Sequence, residues 1–240
     1  MQDDQGLIID WASMPTYNTI MCVAVGAALC SITVIGRDLL SGKKAEPIGW
    51  ALNLGVLGLI LFLTGLHMTL TWPLAKYFPF DNIVFGEPSL ALGTLLLAFS
   101  LYFWKQSDLL KTTENPLIAI GSVARHMKYF FYGMGLALIG IAVAGVKYQL
   151  FAAPPEEPIS GQFADYPMVE AIFISGLWAL TGIAALLMPS VFSRFAAGKV
   201  SINNTLKVSY VLLYGLGLVF LIFGAFNYFT HIGLIVNTMA

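Results

Sequence analysis

Charge is scarce in this chain. Of 240 residues, 10% are Asp, Glu, Lys or Arg, against 58% hydrophobic, and the mean hydropathy is +0.80. Soluble domains carry about 25% charged residues, so this composition excludes a water-covered globule and indicates a polytopic membrane protein. Cysteine is nearly absent too. Cys22 and Cys30 stand eight residues apart, about 12 Å along a helix, too far for a mutual disulfide. They read as small core residues. There is no zinc or haem-attachment spacing, no glycine-rich phosphate loop and no basic nucleic-acid patch, so the bilayer rather than nucleic acid is the expected partner.

What the chain does have is apolar runs of membrane length, uncharged over 17–36, 48–75, 88–104, 129–146, 171–193 and 208–228. Six are expected to span, at about residues 17–36, 48–74, 86–104, 129–150, 168–191 and 207–228, each near the roughly 20 helical residues that cross a hydrocarbon core. The start of the chain is acidic (Asp3, Asp4, Asp10) with no basic region before the first run, so the first span is expected to be retained. Ten of the twelve basic residues, among them Arg37, Lys105, Arg125, Lys128 and Arg194, fall in alternate connections, and only Lys76 and Lys147 fall in the others. By the positive-inside rule the basic connections are cytoplasmic and both termini lie outside. The expected location is the plasma (inner) membrane, multi-pass.

An internal repeat suggests how the spans are organised. Leu57-Gly58-Leu59 through Gly65 matches Leu216-Gly217-Leu218 through Gly224 with both glycines in register, and Tyr132-Gly133-Met134-Gly135-Leu136 matches Tyr214-Gly215-Leu216-Gly217-Leu218. Spans three and five share Glu-x5-Gly, as Glu87…Gly93 and Glu170…Gly176. The simplest architecture is an all-α bundle of three helical hairpins, spans one–two, three–four and five–six, forming one domain over 1–240. Gly55, Gly58, Gly65, Gly133, Gly135, Gly140, Gly145, Gly215, Gly217 and Gly224 are expected to face neighbouring helices, because helices in lipid associate by close approach at small residues. Trp50, Trp72, Tyr77, Trp104 and Tyr228 suit interfacial belts, and Trp178, which is deeper, reads as packing. Residues 115–126 are expected to form a short helix along the cytoplasmic interface, its basic end (Arg125, His126) near lipid head groups.

Ionisable residues at membrane depth mark a site. His67 near the outward end of span two, Glu87 and Glu170 at the outward starts of spans three and five, and His231 just beyond span six share one depth. Two imidazoles and two carboxylates can hold a divalent transition metal such as zinc or iron, or exchange protons. The plainer reading of Glu87 is a carboxylate at a helix N-terminus, followed by a proline suited to the first turn. His67 alone lies securely inside a span, which argues against a bis-histidine haem.

Gly65-Leu66-His67-Met68-Thr69-Leu70-Thr71-Trp72-Pro73-Leu74, followed by Asn82-Ile83-Val84-Phe85-Gly86-Glu87-Pro88-Ser89, resembles a domain-of-unknown-function family of six-span bacterial and archaeal integral membrane proteins. The resemblance implies a prokaryotic plasma-membrane protein and supplies no activity or cofactor. The reading from sequence is therefore a small-solute or ion-handling membrane protein with an outward-facing His/Glu site. The alternatives are a metal-dependent membrane redox enzyme and a structural subunit, in a homo-oligomer or a larger membrane complex.

Overall fold

In the computed structural model, residues 7–14 and 17–239 are described, so Asp3 and Asp4 lie outside the described residues. Six helices are long and apolar enough to cross a membrane: span one Asn18–Leu40, span two Pro47–Leu74, span three Pro79–Lys105, span four Pro116–Tyr148, span five Pro167–Ala196 and span six Asn204–Thr238. Among the described residues there is no strand. The protein is an all-α multi-pass membrane bundle.

The packing repeats three times. Span two lies along span three, span four along span five, and span six along span one. The tight units are thus offset by one helix from the expected hairpins one–two, three–four and five–six, and the third unit joins the two ends of the chain. Glycine placement explains the offset. A Cβ on Gly58 would meet the Gly93 carbonyl oxygen at 3.1 Å, one on Gly135 the Gly182 carbonyl at 3.0 Å, and one on Gly217 the Gly26 carbonyl at 3.1 Å. These three crossings are equivalent, and they fall at the glycines that the sequence repeat aligns. Backbones in van der Waals contact gain dispersion and weak Cα–H···O contacts that lipid cannot replace.

Buried positions on span two run Pro47, Ala51, Leu54, Gly58, Leu61, Gly65, Met68, and on span four Phe131, Gly135, Leu138, Ala142, Gly145. Their alternating spacing of four and three is a heptad seam, the pattern of left-handed packing at about +20°. Not every expected glycine lies on a seam. Gly133, Gly140 and Gly215 face open space, as does Gly176. The Glu-x5-Gly similarity of spans three and five is therefore not carried into three dimensions: Gly93 corresponds to Gly182, not Gly176.

Two span boundaries differ from expectation, both for local reasons. Residues 116–124, expected along the interface, form the first helix of span four, with the Asn115 Oδ1 cap accepting from Leu117 N at 3.1 Å. Leu117, Ile120, Gly121 and Ala124 are buried, and Gly121 sits against Phe195 of span five; the apolar face is spent on a neighbouring helix rather than on lipid. Span three starts earlier than expected, at Pro79, and passes through a π-helical turn, Asn82–Gly86, before Glu87. Pro88 has no N–H to give back to the preceding turn, which disrupts α-helical bonding where the wider turn occurs. Glu87 opens the regular α-helix Glu87–Lys105 with Pro88 in its first turn, as expected, but the π turn ahead of it continues the chain so that this is not a free helix end.

The two ends of the described chain meet. Ile9 N donates to the Thr238 carbonyl at 3.0 Å and Trp11 Nε1 to Thr238 Oγ1 at 3.2 Å. The connection between spans four and five covers the same end of the bundle: Glu156 Oε1 accepts from Leu7 N at 2.9 Å, and Asn237 Nδ2 donates to the Glu156 carbonyl at 2.7 Å.

Candidate functional site

The three helix pairs do not close on one another. Between them lies a cavity of about 1580 Å³, whose middle is walled by Leu29, Leu54, Leu96, Phe99 and Leu177. Spans one and two touch, as do spans five and six, while spans three and four scarcely meet along their length. The interior surface is overwhelmingly apolar, and its ionisable groups, Asp81, Glu157, Glu170 and His231 in one set and Arg37 and Lys207 in another, come from the ends of the spans and their connections.

At the covered end, Asp81, Glu157, Glu170, Asn227 and His231 all line the cavity. The π turn places Asp81 and Phe85 one helical turn apart ahead of Pro88. Glu170 is held by the connection above it, its Oε2 accepting from Ala153 N at 2.8 Å. His231 Nε2 stands 3.9 Å from Glu157 Oε1, with both side chains largely covered, at 26% and 12% exposure. His231 Nδ1 is buried with no partner among the described residues. Just inside, three aromatic rings from separate segments form a wall: Phe85 lies 6.0 Å from Trp178 and 6.1 Å from Phe151, centroid to centroid. Trp178 thus faces the cavity as well as packing.

The four residues expected to form a site part company here. Glu170, His231 and His67 line the cavity, whereas Glu87 is exposed and lies outside it. His67 makes a separate contact, its Nδ1 sharing a 3.1 Å hydrogen bond with the Tyr17 hydroxyl and its ring 5.6 Å from that of Tyr17. Among the described residues, no three His, Cys, Asp or Glu side chains are grouped to hold a metal ion. The reason is rotational: equal depth on four helices does not put four side chains on inward faces, and residue 87 falls on the outward face of its helix.

Sequence reasoning missed Asp81, Glu157 and Asn227. Asp81 looks like a loop acid until the helix is seen to begin at Pro79; the run Pro79-Phe80-Asp81, with proline at a helix start, was the available signal. Glu157 sits in a connection whose fold no periodicity reveals.

The opposite mouth carries the other sign. Arg37 and Lys207 line it, and Arg37 also pairs with Asp38 at 3.0 Å. Both cysteines are free; Cys22 Sγ donates to the Phe220 carbonyl at 3.2 Å, consistent with a core role.

Fold and interior together define a six-span helical membrane protein with an apolar chamber, acidic at one end and basic at the other. The chain belongs to the family described as Protein of unknown function (DUF981), whose model matches residues 14–233. No curated protein and no solved structure matches it.

Proposed function

We propose that this protein handles a small amphipathic solute, holding its apolar part in the central chamber and its polar head at one end. The observation that carries this reading is the chamber itself. Apolar walls with nothing against them lose packing contacts on that side, so a chamber of this volume and lining favours an apolar occupant. Water gains few hydrogen bonds against the leucine-walled middle, since a bound water needs about two to four polar partners. An acyl or isoprenoid-like chain satisfies such a wall at no polar cost. A conducted ion or hydrophilic solute would need polar groups through the middle, where the wall is mainly Leu29, Leu54, Leu96 and Leu177 and the Thr181 hydroxyl donates to the Leu177 carbonyl of its own helix.

The protein resides, in this reading, in a prokaryotic plasma membrane with its acidic end outward. The scant packing between spans three and four makes that seam the route by which a chain enters from the bilayer.

Native mass spectrometry and solvent extraction of protein purified in a neutral detergent test the reading. The expected result is an amphiphile retained at about one per chain, and faster transfer of a fluorescent-tailed amphiphile between leaflets in vesicles carrying the protein. Retention of no such molecule, with transfer equal to that of empty vesicles, overturns it.

A further inference from the structure

The acidic end has the make-up of a site for an organic cation. We propose that the covered end of the chamber recognises an alkylammonium head group, the cationic end of the amphipathic solute; this deepens the chamber reading and rests on it.

Three observations converge. The first is a balance of charge: among the described residues three carboxylates, Asp81, Glu157 and Glu170, line this end against two imidazoles, His231 beside Glu157 and His67 bonded to Tyr17. The second is Asn227, 9% exposed and lining the same end. Its backbone carbonyl accepts from Thr230 Oγ1 at 3.4 Å, while its carboxamide makes no hydrogen bond among the described residues. The amide is thus reachable from the chamber and free to bond a polar ligand, and beside it His231 Nδ1 is buried with no partner among the described residues, a group that calls for one. The third is the aromatic wall of Phe85, Phe151 and Trp178, with neighbouring centroids about 6 Å apart. Ring faces attract cations, and an ammonium bearing methyl or methylene groups gains from aromatic surface and from carboxylates together. A bare metal ion would instead require three or more ligands grouped around one point, which the described residues do not supply. The sequence joins the two elements: Asp81 and Phe85 are four residues apart across the π turn, and Glu170 and Trp178 are eight apart on span five, so each aromatic lies one or two turns below a carboxylate on the same helix.

The ammonium can belong to a membrane lipid or to a free amphiphilic amine, and the test separates them. Purified full-length protein in neutral-lipid nanodiscs is titrated, below their micelle concentrations, with decyltrimethylammonium, with a decyl chain bearing a neutral sugar head, and with tetramethylammonium. Binding is followed by calorimetry. Decyltrimethylammonium is expected to bind at least about tenfold more tightly than the neutral chain. Glu170→Gln and Trp178→Leu are each expected to weaken that binding about tenfold while leaving the neutral chain unchanged, and Glu87→Gln to change neither. Displacement of bound decyltrimethylammonium by nanodisc lipids with choline or ethanolamine heads assigns the ammonium to a lipid; failure of such lipids to compete, with retained binding, assigns it to a free amine. Equal binding of the charged and neutral chains overturns the ammonium site and leaves the chamber standing. Binding of neither chain overturns both. Should Glu170→Gln fail to fold, Asn227→Leu and Asp81→Asn provide the same comparison, and an unchanged preference in both refutes the proposal.

Discussion

Gly217 of span six crosses Gly26 of span one so closely that a methyl group on Gly217 would stand 3.1 Å from the Gly26 carbonyl and 2.9 Å from Cys30 N. The first and last spans are thereby locked as tightly as neighbours in sequence. Because spans three and four scarcely meet, this crossing links the pair that span one touches, spans two and three, to the pair that span six touches, spans four and five.

Gly217→Ala is therefore expected to destabilise the bundle. Overpacking costs about 1–3 kcal/mol, which for a chain of this size lowers Tm by roughly 2–10 °C. Gly215→Ala, two residues away and facing open space, should leave Tm unchanged or raise it slightly, since alanine favours helix by about 0.5–1 kcal/mol over glycine. Thermal unfolding in one detergent compares them. Equal shifts would show that the Gly217 crossing is not a close contact.

The same reasoning extends to the other two pairs. Gly58→Ala and Gly135→Ala should each resemble Gly217→Ala, and Gly133→Ala should resemble Gly215→Ala. If only one of the three crossing variants were destabilised, the threefold repeat would be a likeness of sequence without equal mechanical weight.

Orientation is open to direct labelling. With Cys22 and Cys30 replaced, single cysteines at Ser41, Ser107 and Ser201 should be protected from an impermeant thiol reagent in intact cells, and one at Ser160 should react. The reverse pattern would turn the acidic end of the chamber toward the cytoplasm.

Glu170 also has a mechanical duty, since its carboxylate accepts from Ala153 N and so seats the segment carrying Phe151. Glu170→Ala should raise amide hydrogen exchange at residues 150–153 by about tenfold or more, given that a charge-assisted hydrogen bond contributes about 1.5–3 kcal/mol. Exchange in span two, which makes no contact with this segment's hydrogen bonds, should stay as it was. Unchanged protection at 150–153 would mean that the loop is held by its other contacts alone.

Zinc offered to the metal-free protein is expected not to be retained at stoichiometric level, because Glu87 faces away from the cavity and His67 is engaged by Tyr17. Elemental analysis after desalting measures this. One zinc per chain, lost on His67→Ala and Glu87→Gln, would show that these residues do converge.

The run of apolar residues determined the class of this protein and the number of its spans, because the hydrocarbon thickness sets a length that can be counted along the chain. The aligned glycines, Gly58, Gly135 and Gly217, likewise announced close helix crossings. Which helices cross was decided only in three dimensions: a small residue advertises a close approach but does not name its partner, and Gly217 chose Gly26, nearly the whole chain away. The site shows the same division. His67, Glu87, Glu170 and His231 were legible as ionisable groups at one depth, yet depth is one coordinate and facing is another. Helix rotation put Glu87 outside, a π turn ahead of Pro88 brought Asp81 in, and a connection without periodicity delivered Glu157 and Phe151. Depth follows from hydrophobicity, which is local; facing follows from packing between distant segments, and only the folded bundle contains that information.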